Sequence, residues 1–271
     1  MHLDMNETTH VPPISEDEIV RTIKQIIQGN VSSDQFYPVF QAQYSALDES
    51  LIGFEVLFRL KLPLYGFIAP NRFISVAEKH DLIVDLGLKI VEISLRAFKP
   101  IYNHSRNLKL SINASAKELT QKQYVERFLK LVIHHDIEPS NICIEITESA
   151  FAEHYELMID NTRQLRELGF LIALDDFGKG FSSFRYLVDL DLDIVKIDRY
   201  FVDKPIEDSN YEIFISGLIF TLKSLGLTVY IEGIENETQC LFFKRLGVHV
   251  LQGFYLNRPS RSMSRVISEQ N

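Results

Sequence analysis

Two adjacent aspartates, Asp175 and Asp176, end an apolar run and stand one residue before the stretch GKGFSS. Adjacent carboxylates repel each other, and each loses hydration when it is buried, so a hydrophobic core has no use for such a pair. Their position between a strand-like run and a glycine-containing loop is typical of a functional site. The pair therefore indicates a bound cation.

Nearly every other predicted strand also carries a polar residue near its C-terminal half. Taken singly, these residues have ordinary explanations, such as a solvated glutamate, a turn-forming asparagine or a surface lysine. Their coincidence on successive strands is the informative feature, because the C-terminal strand ends of a barrel converge on one face. The residues are Glu55, Asn113, Glu145, Lys196, Glu232 and Gln252.

Several acids that converge in one site repel each other strongly unless cations neutralise them. Carboxylate and amide oxygens without histidine or cysteine are the ligands that Mg²⁺ and Mn²⁺ prefer over Zn²⁺. Asp175 is the natural bridge between two such ions, with Asp176 reaching the second ion. Two bridged ions form a clamp for in-line displacement at phosphorus. The pattern thus predicts a metal-dependent phosphodiesterase.

The elements that position these residues alternate between short β-rich runs and helical patterns. One helical pattern runs over 73–98, and alternation of this kind predicts a parallel sheet covered by helices. The number of strands favours a closed (β/α)8 TIM-like barrel of the α/β class. The link SALDES is too short for a crossover helix, so we expect the first strand to be antiparallel to the second. The runs are 36–44, 51–60, 108–115, 142–149, 170–176, 193–198, 227–233 and 249–253.

Composition describes an ordinary globular protein of 271 residues, 46% hydrophobic, with a net charge of -9. The acidic balance argues against a nucleic-acid polymer as partner. Cys143 and Cys240 have no CxxC neighbour, and no apolar run has membrane-spanning length, so we expect a cytoplasmic protein. Residues 1–33 are expected to form a tail and a helix from Ser15 to Gly29, which is a linker or a cap, and 34–271 the main domain.

The sequence resembles the EAL-domain phosphodiesterases, which hydrolyse the bacterial second messenger cyclic di-GMP. The resemblance covers about 34–259 and agrees in order, spacing and chemistry. The segments that carry it are FYPVFQAQ, GFEVLFRL, APNRFISVAEKHDLI, LSINASAKEL, IEITES, ALDDFGKGFSSFRYL, DIVKID, YIEGIENETQ and LGVHVLQGFYLNRP. It implies that 34–271 is an EAL-type phosphodiesterase domain.

The resemblance implies a role for each matching residue. It makes Glu55, Asn113, Glu145 and Asp175 ligands of one metal ion. Asp175 and Asp176 serve the second ion, with Glu232 beside it as a ligand or as the base for the attacking water.

The remaining matches concern water activation and substrate. Lys196 matches a lysine that polarises the attacking water, and Glu148 matches a glutamate that holds the DDFG loop. The positions that touch substrate are Gln41, Arg59 and Gln252, with Asp198 close to them.

The implied reaction is hydrolysis of one phosphodiester bond of cyclic di-GMP, which gives linear pGpG. Mg²⁺ or Mn²⁺ should support it, and Ca²⁺ should inhibit, because its larger radius spoils the spacing of the two ions. A silent cyclic di-GMP receptor and a protein-interaction module on the same fold stay open as alternatives. The first requires a misplaced Glu232 or Lys196, and the second requires an occluded pocket.

The family pattern also implies a homodimer and allows an upstream sensory domain. The dimer segments would be SSFRYLVDL and YFVDKPIEDSNYEIFISGLIF, although a barrel helix must bury one face in any case. The apolar residues of the second segment are Phe214, Ile215, Leu218 and Phe220.

Three departures from the family pattern lie near the expected site. Val56 replaces alanine in the signature tripeptide, which we expect to alter packing and to leave activity intact. Leu60 stands where the family often has tryptophan, which would weaken one wall of the substrate pocket. The first strand reads QAQ, Gln41 to Gln43, where the family usually shows QPI.

Overall fold

The computed structural model describes residues 14–121, 123–148, 155–178, 184–204, 206 and 208–268. Most of the expected N-terminal tail lies outside this part of the chain. The described strands are β1 (Phe36–Ser45), β2 (Leu51–Leu62), β3 (Gly66–Ile68), β4 (Lys109–Asn113), β5 (Ile142–Thr147), β6 (Leu171–Phe177), β7 (Ile194–Ile197), β8 (Thr228–Ile231) and β9 (Val250–Leu251).

The described helices follow the expected alternation. They are α1 (Glu16–Ile27), α2 (Pro70–Lys79), α3 (Ile83–His104), α4 (Ala116–Leu119), α5 (Tyr124–His134), α6 (Tyr155–Glu167), α7 (Phe184–Asp189), α8 (Arg199–Val202), α9 (Ser209–Ser224), α10 (Glu237–Arg245) and α11 (Met263–Ser268). None of the described helices combines the length and apolar character needed to cross a membrane.

The sheet closes into a barrel in the order β1-β9-β8-β7-β6-β5-β4-β2, and β2 pairs in turn with β1. The first strand runs antiparallel to both of its neighbours, whereas the pairs from β2 and β4 round to β9 are parallel. Both the barrel and the antiparallel first strand are therefore confirmed. The short strand β3 was missed by the sequence reasoning and adds to β2 outside the barrel.

The single helical pattern expected over 73–98 is wrong, because the structure divides it into α2 and α3. Asp81 adopts the left-handed backbone conformation with φ 54°. The Leu82 N–H then turns back to the Ala77 carbonyl at 2.8 Å, which ends α2. A tolerant aspartate at this point lets the chain change direction without glycine.

Helix α1 begins where the sequence predicts, with the Ser15 hydroxyl accepting the Glu18 N–H at 3.2 Å. Ile19, Ile23 and Ile26 are buried on one face, as their spacing requires. Arg72 of α2 donates to the Ile14 carbonyl at 2.6 Å. From these contacts we propose that α1 caps the barrel.

The inner face of the barrel carries two layers of side chains, because residues two apart on a strand point the same way. Register joins Gln41 to Glu55, and Asn113 to Glu145, on this inner face. A second layer lies two residues further from the site along each strand, and its side chains are mostly small or apolar. This lower layer consists of Gln43, Gly53, Ser111, Cys143, Ala173, Ile194, Tyr230 and Val250.

Candidate active site

The centre of the site is the buried ammonium of Lys196, on β7, which is 0% exposed. Its Nζ lies 2.6 Å from a Glu232 oxygen and 2.7 Å from Glu145 Oε2. Asp175 Oδ1 is 3.3 Å away and Glu55 Oε2 is 3.7 Å away. Four strands thus bring four carboxylates around one cation, as their places at the strand ends predict.

Charge in this cluster is unbalanced. Burial alone lowers the pKa of Lys196, but the surrounding carboxylates, Asp175 first, raise it above its ordinary value, so the ammonium stays charged. Burial raises the pKa of Glu145 well above its ordinary range and the pKa of Glu232 to about 8. A single lysine among four acids leaves Glu145 and Glu232 disposed to hold protons, and a divalent cation would take the place of those protons.

The irregular end of β6 brings both Asp175 and Asp176 to the cavity. The register of β6 with β7 shifts between Leu174 and Phe177, and Asp176 has φ 55°. A bulge of this kind re-aims side chains next to a site. Oxygens of Asp175, Asp176 and Glu232 consequently lie within 4.8 Å of one another.

The donor set fits a hard divalent cation. Glu145 Oε1 and Asp175 Oδ1 are buried and accept no hydrogen bond from the described residues, although Asp175 Oδ1 keeps its ion pair with Lys196. Asn113 donates its Nδ2 to Glu55 Oε1 at 3.2 Å, which leaves the amide oxygen as its cation-binding atom. Carboxylate and amide oxygens are the ligands of Mg²⁺ and Mn²⁺.

The loop after β6 is tied to β5. Glu148 Oε2 accepts the backbone N–H of Gly178 at 3.3 Å. Gly178 has φ 95°, and a Cβ at this position would lie 2.0 Å from the Phe201 ring. Glycine is therefore required there, and the loop beyond it, from 179 to 183, lies outside the described residues.

A cavity of about 740 Å³ opens above the cluster at the C-terminal end of the parallel strands. Gln41, Arg59 and Gln252 line it, together with Glu55, Asn113, Asp175, Asp176 and Glu232. The Arg59 guanidinium donates to the Phe58 carbonyl at 3.1 Å. Lys196 and Glu145 lie beneath the cavity, and a cavity of this size is typical of small-molecule sites.

Asp198 was expected near the substrate, but it is not among the cavity-lining residues. Its carboxylate accepts the Tyr200 N–H at 2.8 Å and caps the short helix α8. Leu60 likewise does not form a pocket wall, because it is fully buried and pairs with Phe36 and Ile68. Val56 does line the cavity.

Glu118 also lines the cavity, and the sequence reasoning missed it. It belongs to a capping box at the start of α4, in which its Oε2 accepts the Ser115 N–H at 2.6 Å. The Ser-x-x-Glu spacing of SAKE was the signal that could have found it. Ser115 also donates to Glu78 Oε1 at 2.5 Å, so these residues fix the turn that follows Asn113.

Comparison with known proteins identifies the architecture. The EAL domain profile matches residues 24–259. The chain belongs to the EAL domain family. MucR of Pseudomonas aeruginosa, named a bifunctional diguanylate cyclase/cyclic di-GMP phosphodiesterase, is 33% identical over 221 residues, or 81% of this chain and 32% of MucR. RocR of the same organism, named a cyclic di-GMP phosphodiesterase, is 26% identical over 238 residues, 88% of this chain and 60% of RocR.

Solved structures of other EAL proteins superpose on the barrel. The MucR phosphodiesterase in complex with cyclic di-GMP has a TM-score of 0.82 at 30% identity, and the match covers 92% of this chain and 99% of that chain. The EAL enzyme Bd1971, with cAMP and cyclic di-GMP bound, has a TM-score of 0.84 at 28% identity, with 94% and 69% covered. This chain spans less than two thirds of the length of MucR and RocR.

Glu118 yields a prediction about pH and stability. Burial raises its pKa to about 8 from 4.5, so the folded protein holds a proton that the unfolded chain releases. Its contribution to the free energy of unfolding is complete below about pH 4.5 and is lost as pH rises through about 8. In wild type, this proton makes the free energy of unfolding fall with pH by up to about 1.4 kcal/mol per pH unit in this window. Glu118→Gln should remove this dependence.

Urea unfolding at a series of pH values measures this slope. The matched control is Glu126→Gln, since Glu126 is an exposed helical glutamate that forms an ion pair with Lys130. Its stability should track wild type across the same range. Parallel curves for wild type and Glu118→Gln would contradict a neutral, buried Glu118.

Proposed function

We propose that this chain hydrolyses cyclic di-GMP to linear pGpG in a reaction that depends on Mg²⁺ or Mn²⁺. The observation that carries the proposal is the cluster of Asp175, Asp176 and Glu232 oxygens at the base of the cavity. Acids gathered at the C-terminal strand ends of a barrel have little structural use and mark its reaction face. The names of MucR and RocR support the same activity.

The residues proposed to hold the first ion are Glu55, Asn113, Glu145 and Asp175, and those for the second are Asp175 and Asp176. Bound divalent cations would supply Lewis acidity, which lowers the pKa of water and offsets charge on phosphoryl oxygens. Ca²⁺ should bind the same oxygens and inhibit.

The chain's own residues perform the remaining steps of the proposed reaction. Glu232 accepts the proton of the attacking water, and Lys196, 2.6 Å from Glu232, orients that water and carries positive charge beside it. The water oxygen forms a bond to phosphorus while the bond to the 3′-oxygen breaks. The 3′-oxygen takes up a proton from solvent water and leaves as a hydroxyl, and the phosphate remains on the 5′ side.

Substrate binding is assigned to the upper rim of the cavity. The Arg59 guanidinium suits a phosphate oxygen because its planar N–H groups match that geometry. Gln41 and Gln252 offer amide groups to the nucleotide beside Glu55. We propose that Asp198 acts by capping α8 and that Glu148 acts by holding the loop after β6, rather than by touching substrate.

A homodimer through α9 remains part of the proposal. Of the four apolar residues expected there, Ile215 and Leu218 are buried, while Phe214 and Phe220 are exposed. Exposed phenylalanines on one helix are consistent with a partner surface. The other expected segment, SSFRYLVDL, begins outside the described residues.

One experiment separates the enzyme from the two alternatives. The purified chain is incubated with cyclic di-GMP and Mn²⁺, and the mixture is chromatographed for pGpG. We expect pGpG to accumulate with turnover and EDTA to stop it. Binding without pGpG would indicate a receptor, and no binding would favour an interaction module. The open cavity and the contacts of Lys196 with Glu232 favour the enzyme.

A further inference from the structure

Gln43 is a buried polar residue in the otherwise mostly small and apolar lower layer of the barrel. It follows Gln41 by two residues on β1, so both side chains face the interior. Its side chain is 1% exposed. Strands β6, β7 and β9 supply Ala173, Ile194 and Val250 to the same layer.

The shorter hydrogen bond of Gln43 leads toward the site. The Gln43 Nε2 donates to Gln252 Oε1 at 3.1 Å and, more weakly, to Ser111 Oγ at 3.4 Å. The Gln252 Nε2 donates in turn to Glu55 Oε2 at 2.5 Å and to Gln41 Oε1 at 3.3 Å. A row of hydrogen bonds therefore joins the lower layer to a proposed metal ligand and to a proposed substrate contact.

The hydrogen-bonding chemistry of the carboxylate determines which end of the Gln252 amide faces Glu55 and which end faces Gln43. An ionised carboxylate only accepts hydrogen bonds, so Gln252 must turn its NH₂ group toward Glu55. The carbonyl end of Gln252 then faces downward, where Gln43 donates to it. Gln43 and Glu55 hold the two ends of one amide.

This arrangement has a cost in stability. The Gln43 Oε1 is buried and accepts no hydrogen bond from the described residues. An unsatisfied buried acceptor is destabilising, and an apolar residue of equal volume would avoid it. The family pattern usually has isoleucine at this position, so the donor is a feature of this chain.

We propose that Gln43 is a positioning residue that holds the Gln252 amide in the orientation required for substrate binding. The expected effect of Gln43 on substrate binding rests on the proposed function. Its expected effect on the orientation of the Gln252 side chain does not. Loss of the Gln43 donor frees the carbonyl end of Gln252, which then rotates away from Gln41 and Glu55 for part of the time. Substrate binding weakens. The fold loses the unsatisfied Oε1 together with the two hydrogen bonds that Gln43 donates, so the two effects on stability oppose each other.

The test is Gln43→Met, which keeps the volume and removes the amide. We expect the Kd for cyclic di-GMP, measured by calorimetry with Ca²⁺ to prevent turnover, to rise about fivefold to tenfold, the effect of one hydrogen bond. The melting temperature in EDTA should stay close to that of wild type, because the lost hydrogen bonds and the lost unsatisfied acceptor offset each other. In Gln252→Met, adding Gln43→Met should change Kd no further, because the effect passes through Gln252.

Cys143→Ala is the matched control, since Cys143 lies in the same layer under Glu145 but outside the row of amides. It should leave the Kd near wild type. An unchanged Kd in Gln43→Met, an additive effect in the double variant, or an equal loss in the control would overturn the proposal.

A second readout needs no substrate. The side-chain amide protons of Gln252, followed by NMR, should exchange slowly in wild type and faster in Gln43→Met. If wild type fails to bind cyclic di-GMP, the proposed function fails, and these amide signals still decide the role of Gln43. Identical exchange in both proteins would exclude that role.

Discussion

Replacing Lys196 with methionine should destabilise the metal-free protein by about 3 kcal/mol or more, because removal of one partner leaves buried charge uncompensated. Four carboxylates lie within 3.7 Å of the ammonium, and methionine gives them no counter-charge. Adding Mn²⁺ should recover more stability in this variant than in wild type. Chemical denaturation in EDTA and in Mn²⁺ measures both effects.

Lys130→Met is the control for this result. Lys130 pairs with Glu126 on the exposed face of α5, and both side chains are about two thirds or more exposed. Its loss should cost less than about 0.5 kcal/mol. If Lys196→Met is as stable as this control in EDTA, Lys196 does not serve as the counter-charge of the cluster.

Replacing Glu55 with alanine should abolish turnover, with a loss of about a thousandfold or more, since a metal ligand supplies several kcal/mol of transition-state stabilisation. Glu55 also accepts the Asn113 and Gln252 amides, so its loss disturbs both neighbours. Initial rates of pGpG formation over a range of Mn²⁺ concentrations measure the effect.

Glu126→Ala provides the comparison, because it removes an exposed glutamate that does not line the cavity. Its rate should equal that of wild type. Hydrolysis by Glu55→Ala at the parental rate would show that the metal assignment is wrong.

Much of the fold follows from local pattern. The spacing of the apolar residues predicts most of the strands and helices. The link between β1 and β2 is too short for a crossover helix, so the two strands must be antiparallel. The break between α2 and α3 was not predicted, because it depends on the backbone conformation of Asp81, which aspartate adopts only in some contexts. The strand β3 is too short for its period to be recognised.

The part of the site that consists of charged residues at the C-terminal ends of strands could be predicted from the sequence. Glu55, Glu145, Asp175, Lys196 and Glu232 meet because parallel strands converge there. The lower layer was not predictable in the same way. A buried glutamine reveals its partner only when register and strand stagger are known.

The position of Asp198 also differs from the prediction, because its carboxylate accepts a hydrogen bond from the backbone and does not face the cavity. A carboxylate at a strand end caps a helix or faces a cavity according to the path of the next few residues. For Asp198 that path leads directly into α8, and the Tyr200 N–H captures the side chain. Residue type alone does not distinguish these outcomes.

The most direct test of the account is hydrolysis of cyclic di-GMP in water labelled with heavy oxygen, with the product analysed by mass spectrometry. Water attack at phosphorus predicts pGpG that carries one labelled oxygen in its terminal phosphate, formed by wild type with Mn²⁺ and not by Glu55→Ala. Absence of pGpG, or pGpG without the label, would contradict the account.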